Sequence, residues 1–283
     1  MSKNSSKNPL AEIFGFPAGN FSPEAKRSRE NGLCPFNNKV PACTKASLKD
    51  PLGVCSISEG EGFAIICPIR FRENWIIARD AAEFFFPKGT KWVSLPEIRL
   101  KDGSGEAAGN IDLILVAHDD SGLITDFGSL EIQAVYISGN IRHPFKHYME
   151  DPNQRSSMDW RNEPNYPRPD YLSSSRKRLV PQLLYKGTIL KAWGKKQAVA
   201  LHKGFYDTLP DLPEVNKERA EMAWFVYDLS LDTKKERFHL RLESVKYTEF
   251  LPALEKIITP PLPNMTKFRT MLQGKLDANL SKN

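Results

Sequence analysis

The feature that most constrains the fold is the segment "GNIDLILVAHDDSGLITDFGSLEIQAVYI", residues 109–137, in which two apolar runs flank a polar stretch. It predicts a β-hairpin with a two-residue turn at residues 121–122. That turn places Asp112 directly opposite Glu131, and Gln133 lies on the same face because strand side chains alternate. Opposed carboxylates repel each other. The repulsion between these two carboxylates must therefore be relieved by a shared proton, a raised pKa or a divalent cation.

A third carboxylate precedes the hairpin. Glu97 follows Pro96, and proline favours the first turn of a helix, so we expect Glu97 to point from a helix start toward the sheet edge. Glu106 is a rival for this role. Hard oxygen ligands of this kind suit Mg²⁺, and the chemistry they imply is phosphodiester hydrolysis by water. The alternative interpretation is a polar sheet face that is open to water.

All four cysteines lie within one short, turn-rich part of the chain: Cys34, Cys43, Cys55 and Cys67. Disulfides are disfavoured in a reducing compartment, so clustering of this kind indicates a metal site. A tetrahedral site would stabilise a segment that is poor in regular structure. Thiolates accept both zinc and iron, and the residues alone leave that choice open. Four unligated cysteines, buried as small apolar residues, are the alternative.

Length and charge limit the classes of protein that fit. A chain of 283 residues with 40% hydrophobic content can form one large domain, or a domain with a subdomain. The amino terminus has no signal-peptide core, and no stretch reaches the roughly 18 apolar residues of a membrane span. We therefore expect a cytoplasmic protein without a membrane segment. The net charge of +6 fits a polyanionic partner, although a basic stretch is also what a solvated surface carries.

The pattern of elements indicates an α+β or mixed α/β fold. A helix is predicted over 72–86 with Asn74 as a possible cap, and another over 179–193, broken near Gly187. Between the hairpin and the second helix, 149–178 reads as a long loop, and long ordered loops are usually functional. Strands are predicted in "KQAVALHKGFY", "MAWFVYDLSL" and "RFHLRLESV", and closing helices over 248–258 and 264–277.

The order of a Glu, an Asp on a strand, a hairpin and then Glu-x-Gln resembles the PD-(D/E)xK nuclease core. The words "LAEIFGFP", "LCPFNN", "LGVCSI", "IICPIR" and "FGSLEIQAVY", within about residues 10–140, resemble the NotI-type restriction endonucleases, and "AWFVYDLSLD" continues the resemblance. The resemblance implies that Asp112 and Glu131 hold magnesium, that Gln133 takes the usual lysine position, and that Glu97 is an accessory carboxylate. It also implies that the four cysteines hold a structural metal, and it favours iron over zinc.

The resemblance further implies a restriction-endonuclease-like core, with a mixed sheet flanked by helices, over residues 73–283, and a metal-binding segment over residues 1–72. It implies a homodimer that cuts both strands of a GC-rich palindrome in double-stranded DNA. The loop at 149–178 is the candidate DNA-reading element, because it carries side chains that bind guanine, adenine or phosphate. These candidates are Asn153, Gln154, Arg155, Arg161, Asn162, Arg168 and Arg176.

Two functions from different classes compete at this stage. The first is a magnesium-dependent type II restriction endonuclease. The second is a non-catalytic, metal-stabilised DNA-binding protein in which the hairpin is only structural. Three acids near one strand pair favour the enzyme, because a DNA-binding protein has no use for them beside an anion. Among enzymes, a repair or junction-resolving nuclease is the runner-up.

Overall fold

The computed structural model describes residues 7–37 and 39–281 and has a mixed α/β fold. The first six residues, on which the expected lack of a signal peptide partly rests, lie outside the described residues. Within the described part, the strands form three sheets. The strands are β1 Leu10–Ile13, β2 Phe16–Pro17, β3 Val54–Glu59, β4 Gly62–Ile65, β5 Trp92–Lys101, β6 Ala107–His118, β7 Ile124–Gln133, β8 Tyr136–Ser138, β9 Arg168–Asp170, β10 Gln197–His202, β11 Met222–Asp232 and β12 Arg237–Thr248.

The largest sheet has six strands in the order β12-β11-β10-β7-β6-β5. Strand β10 runs parallel to both of its neighbours, whereas the other pairs are antiparallel, so the sheet is mixed. Every residue of β10 is buried, as expected for a central strand that is covered on both faces. This sheet carries the predicted hairpin, with β7 beside the buried strand β10 and β6 beside the edge strand β5.

Helices cover both faces of the six-stranded sheet. The α-helices are α1 Pro23–Glu30, α2 Ile76–Phe85, α3 Arg142–Glu150, α4 Pro152–Arg155, α5 Tyr171–Ser174, α6 Val180–Gln182, α7 Thr188–Ala192, α8 Lys203–Tyr206, α9 Phe250–Ile258 and α10 Met265–Leu280. Helix α2 packs with the apolar side chains of one face, including Leu130 and Ile132. Leu179, Leu183 and α9 pack with the opposite face.

The hairpin has the predicted register but a different turn. Five residues, 119–123, connect His118 to Ile124, and a bulge follows between Ala117 and His118. The longer loop and the bulge offset each other, so Leu113 pairs with Leu130 as the two-residue turn required. The predicted turn was therefore wrong. The register that it implied is present from Leu113 to Ala117, but the pairing of β6 with β7 ends at Leu113 and does not reach the predicted pair of Asp112 with Glu131.

The helix predicted over 179–193 is longer than expected and is not broken at Gly187. It begins at Tyr171, and α5, α6 and α7 are joined into one run by two π-helical segments, Ser175–Leu179 and Leu183–Gly187. We call this run the long helix. Gly187 has ordinary helical angles (φ −62°, ψ −39°), and a Cβ there would lie 2.6 Å from the ring of Phe250. This glycine therefore permits close packing against α9 rather than ending a helix.

Three further expectations were wrong in detail. Glu97 lies within strand β5 and not at a helix start, with a left-handed φ of 58°. Asn74 does not cap α2, because it belongs to a 3₁₀ segment, Pro68–Trp75, that precedes the helix. The stretch 149–178 contains regular structure, with α4, β9 and the first residues of the long helix within it. Local turn residues concealed these short elements. The closing helices, by contrast, are confirmed as α9 and α10.

Strands β1 to β4 form a separate four-stranded sheet that is tied to β12 by buried charges. Arg70 is fully buried, and its guanidinium donates to Glu12 of β1 at 2.9 Å and to Glu73 at 2.7 Å. It also donates to the Phe238 carbonyl of β12 at 3.0 Å. Each acid is compensated by this one cation, which is how buried charges are tolerated.

The last helix, α10, differs from the others because all of its residues are exposed. Asn264 caps its start, with the side chain accepting from the Lys267 N–H at 3.0 Å. No helix in the described part of the chain is long and apolar enough to cross a membrane.

Candidate active site

The site lies on the sheet face that is turned toward the long helix. Leu130 and Ile132 of β7 contact α2 on one face, so Glu131 and Gln133 point to the other face by strand alternation. Both polar side chains are buried, with 6% and 1% exposed respectively. Asp112, on the adjacent strand β6, is half-buried beside them. The structure thus brings together the three residues that the hairpin pattern predicted.

Glu131 is the most perturbed acid of this group. Burial, and next the charge of Asp112, raise the pKa of Glu131 to about 8, against the opposing charge of Lys186. The Lys186 ammonium lies 2.7 Å from Glu131 Oε1 as an ion pair. Among the described residues, no donor meets hydrogen-bond geometry at either carboxylate oxygen. Glu131 therefore keeps buried oxygen atoms with free acceptor capacity.

Asp112 makes one defined contact with the backbone. Its Oδ2 accepts a hydrogen bond from the Ile132 N–H at 2.8 Å, just beyond the last paired residues, Leu113 and Leu130. The carboxylate thus fixes the place where β6 and β7 separate. This contact also holds Asp112 beside Glu131. The negative charge of Asp112 there raises the pKa of Glu131.

Gln133 has a partner that the sequence did not indicate. Its Nε2 donates to Oε1 of Gln182 in the long helix. An uncharged amide can orient a neighbour by hydrogen bonding but cannot neutralise charge. The contact instead fixes the long helix against the end of β7.

Lys186 is the residue that sequence reasoning missed. It is 3% exposed and lies on the long helix among the buried side chains of Leu183 and Leu190. Besides Glu131, its ammonium contacts the Asn110 carbonyl, to which it donates at 2.6 Å. The available signal was a lysine at helical spacing on an apolar face, since Leu183, Lys186 and Leu190 follow the three- and four-residue steps of one helix side.

Glu97 is not joined to this group by its side chain. Pro96 pairs with Leu113 and Ile98 pairs with Ile111, so the backbone of Glu97 lies at the level of Asp112. Its carboxylate is instead 3.6 Å from Lys39 and 4.0 Å from Arg72, with 60% of the side chain exposed.

Glu106, the rival acid, is also exposed, and it lies in the turn between β5 and β6. The two carboxylates that share the buried site are therefore those of Asp112 and Glu131.

The four cysteines line one small cavity together with Lys45 and Arg70. All four thiols are free; three are buried, and Cys34 is half-buried. Burial raises the pKa of Cys34 to about 11, and it also raises the pKa of Cys55. Lys45 donates from inside this segment to the carbonyls of Val54 and Ile66, at 3.1 and 3.0 Å. The predicted cysteines thus converge, without any disulfide between them.

Neither metal site is complete in the described part of the chain. Across residues 7–37 and 39–281, no group of three or more His, Cys, Asp or Glu side chains has an arrangement that could hold a metal ion. Four cysteines can line one cavity without having the tetrahedral arrangement of thiolates that zinc or iron requires. The described residues therefore do not show a metal site at the cysteines, and the metal stays a prediction.

The predicted DNA-reading residues are mostly exposed but do not form one loop. Six of them are exposed, whereas Arg155 is half-buried and donates to the His147 carbonyl at 2.6 Å. Arg161 donates to Asp159, with its Nε 2.9 Å from the carboxylate. Arg168 lies on β9, with its guanidinium 5.5 Å from the centre of the Tyr166 ring. The exposed six are Asn153, Gln154, Arg161, Asn162, Arg168 and Arg176.

Comparison with known proteins gives one result that covers most of the chain. A family described as Restriction endonuclease NotI matches residues 20–240, which include the four cysteines, the acids of the hairpin and the long helix. A comparison with curated proteins finds no match. Since the family match extends over well more than half of the 283 residues, this chain belongs to the NotI restriction endonuclease family, whose members are type II, site-specific deoxyribonucleases that act on double-stranded DNA.

Proposed function

We propose that the protein makes magnesium-dependent double-strand cuts in DNA, with Asp112 and Glu131 as the ligands of the ion. The observation that carries this proposal is the buried Glu131 carboxylate, which lies beside a second acid, Asp112, and has the Lys186 ammonium as an ion-pair partner. One ammonium offsets only one of two negative charges, and a buried charge left without a counterion is costly. Carboxylate oxygens also match the ligand preference of Mg²⁺.

The reaction is hydrolysis of a phosphodiester. A water oxygen bonds to phosphorus while the bond from phosphorus to one ester oxygen breaks; the water loses a proton to solvent, and the departing oxygen gains one. When bound, the ion would neutralise the negative charge that develops on the phosphate oxygens. Asp112 is held in place by the Ile132 N–H, and Gln133 and Gln182 hold the long helix over the site. Water orientation by Gln133 is part of the proposal, with Glu97 as an accessory carboxylate outside the pair.

The proposal extends to the fold and its division. We infer a PD-(D/E)xK core over residues 73–283 and a segment over residues 1–72 in which Cys34, Cys43, Cys55 and Cys67 hold iron or zinc. The supporting observation for the metal is that all four free thiols line one cavity. Such a donor set suits either metal, and the family resemblance favours iron.

The DNA site and the assembly are also proposals. We infer that a homodimer reads a GC-rich palindrome, because an isologous dimer matches the two-fold symmetry of such a site. The exposed arginines and amides between Asn153 and Arg176 are the candidates for base and phosphate contacts. Arg161→Ala or Arg168→Ala should then relax specificity at one base pair, at a cost of about 1–3 kcal/mol.

The test is cleavage of phage and plasmid DNA by the purified protein in Mg²⁺, followed by sequencing of the ends. Discrete ends at one palindromic sequence are expected. Calcium in place of magnesium serves as the control, with binding and no cutting expected. A random smear, or intact DNA with both Mg²⁺ and Mn²⁺, would contradict the proposed function.

A further inference from the structure

A buried lysine, Lys186, lies at the centre of the site, and the proposed function gives it no role. Lys186 reaches the Glu131 carboxylate from the long helix, at 2.7 Å, and the Lys186 and Glu131 side chains are only 4% and 8% exposed. Lysine is almost never this buried unless it is paired. The same ammonium also donates to the Asn110 carbonyl at 2.6 Å.

The backbone is shaped to receive this side chain. Gly109 lies where the Lys186 chain passes, and a Cβ at Gly109 would come within 3.4 Å of Lys186 Cδ. Gly109 also has a φ of +122°, which residues with a side chain rarely adopt. The start of β6 is thus formed around the lysine stem.

The charges explain what the lysine can do. The acids Asp112 and Glu131 lie beside each other, and the Lys186 ammonium is in contact with the Glu131 carboxylate. A divalent ion held by Asp112 and Glu131 would supply the positive charge that Lys186 now gives to Glu131. The Lys186 ammonium would then be free to contact a phosphate of the bound DNA.

We propose that Lys186 is the exchangeable cation of this site: it neutralises the Asp112–Glu131 pair before the ion binds and contacts the scissile phosphate afterwards. This inference rests on the proposed function, and it supplies the positive charge that Gln133 cannot provide. A fixed cation stabilises the extra negative charge that develops as water adds to phosphorus. The long helix, held by the Gln133–Gln182 contact, sets the position of the ammonium.

The experiment compares Lys186→Gln and Lys186→Met with the parent. Methionine keeps the apolar stem and serves if glutamine does not fold. Lys191→Gln is the matched control, because Lys191 lies on the same helix but pairs with Glu221. We expect the Lys186 variants to lose about 100-fold in single-turnover cleavage, a typical effect of removing one charge-stabilising group. Their DNA affinity in calcium should change little, and the control should match the parent.

Two readouts separate this role from a structural one. Calorimetry with Ca²⁺ and no DNA, in weakly alkaline buffer, should show tighter binding by the Lys186 variants, because the ion no longer displaces an ammonium. In a third variant, Lys186→Ala, which leaves space for a small amine, added methylammonium should restore part of the cleavage. Parent-like cleavage by both variants, or unchanged or weaker calcium binding, would overturn the inference while leaving the proposed function intact. If the parent cuts no DNA, the proposed function fails, and the calcium measurement alone decides the role of Lys186.

Discussion

The Glu131 carboxylate and the Lys186 ammonium, 2.7 Å apart, come from a central strand and from the helix that covers it. The pair therefore couples the acid strand to the long helix. It follows that the helix position and the charge state of the acids are not independent. Substitution of Glu131 or Lys186 should therefore lower activity while the sheet remains folded.

Removal of either acid should abolish cleavage. Asp112→Asn and Glu131→Gln each leave one carboxylate, so the ion loses a ligand, and we expect a loss of at least about 1,000-fold in rate, or roughly 4 kcal/mol. Specific DNA binding in calcium should persist. In weakly alkaline buffer, where Glu131 is ionised, metal-free affinity should rise because a negative charge beside the phosphate is gone. Cleavage titrated against Mg²⁺, and binding without it, are the measurements.

Asp126→Asn is the matched control for these variants, because Asp126 lies at the other end of β7 and pairs with Lys195 on the surface. It should cut at the parent rate. Near-parent cleavage by Glu131→Gln would instead exclude the Asp112–Glu131 pair as the ligand set.

Loss of the Gln133 amide should have a smaller effect than loss of either acid. Gln133→Ala removes the contact with Gln182 but no charge, so we expect a decrease of about 10- to 100-fold, with part of it from a less firmly held helix. Gln182→Ala removes the same contact from the other side. A double-mutant cycle on cleavage rates measures how much of the effect is shared; fully additive losses would contradict a role through this contact.

The buried charges around Arg70 should make stability depend on pH. Burial raises the pKa of Glu73, but the charge of Arg70 and the Leu240 N–H outweigh burial, so the net shift is downward. The folded pKa then lies below the unfolded value of about 4.3. The ionised Glu73 carboxylate therefore stabilises the protein fully at pH values above the unfolded pKa. This contribution is lost as the pH falls through the folded pKa.

Glu73→Gln tests this dependence. It should lower the free energy of unfolding by about 3 kcal/mol at neutral pH, because Arg70 loses one of its buried partners. The difference from the parent should shrink below the folded pKa. Urea unfolding at neutral and acidic pH gives both values. Equal destabilisation at both pH values would indicate lost packing and not lost charge.

The cysteine segment should depend on its metal. Elemental analysis should find about one equivalent of iron or zinc in each chain, and Cys43→Ser should cost several kcal/mol or yield insoluble protein, because the binding energy of a structural metal is folding energy. Removal of the metal by a chelator should lower the Tm of the parent. A soluble, active and metal-free Cys43→Ser variant would contradict a structural metal.

The final helix should contribute little to the stability of the chain. All residues from Thr259 to Leu280 are exposed, so deletion of residues 259–283 removes little buried surface. We expect the free energy of unfolding to change by less than about 1 kcal/mol. Thermal and urea unfolding of the truncated and parent proteins provide the comparison. A large decrease, or a change in oligomeric state on sedimentation, would reveal a partner for the apolar side chains of α10.

The sequence predicted the parts of the site that depend on local pattern. Strand alternation and the hairpin register placed Glu131 and Gln133 on one face beside Asp112, and these features are periodic. The turn was predicted incorrectly, yet the register is present because the bulge at Ala117 offsets the longer loop. The predicted and observed registers agree because burial of the apolar face of the hairpin allows only one register, whatever the length of the loop.

What the sequence did not predict depends on contacts between distant segments. Lys186 reaches Glu131 across 55 residues of chain, and no periodicity signals that a helix lysine faces a strand acid. Glu97 followed a proline and was assigned to a helix, but pairing with β6 holds that stretch as strand β5. For Glu97 a tertiary contact outweighed local preference, whereas for Lys186 the helix was predicted and only the distant partner was missed.

The two π segments of the long helix make its length as important as its composition. A π turn holds one residue more than an α turn, so the segment Ser175–Leu179 carries a residue that a regular helix would not contain. Deleting one exposed residue there, such as Lys177, would let that turn close as an α turn, so the two ends of the helix would keep nearly the same orientation and Lys186 would still face Glu131. Inserting one more residue there would instead rotate the two ends relative to each other by about 100° and turn Lys186 away from Glu131. A one-residue insertion in this segment should therefore be far more harmful to activity than a one-residue deletion at the same exposed position.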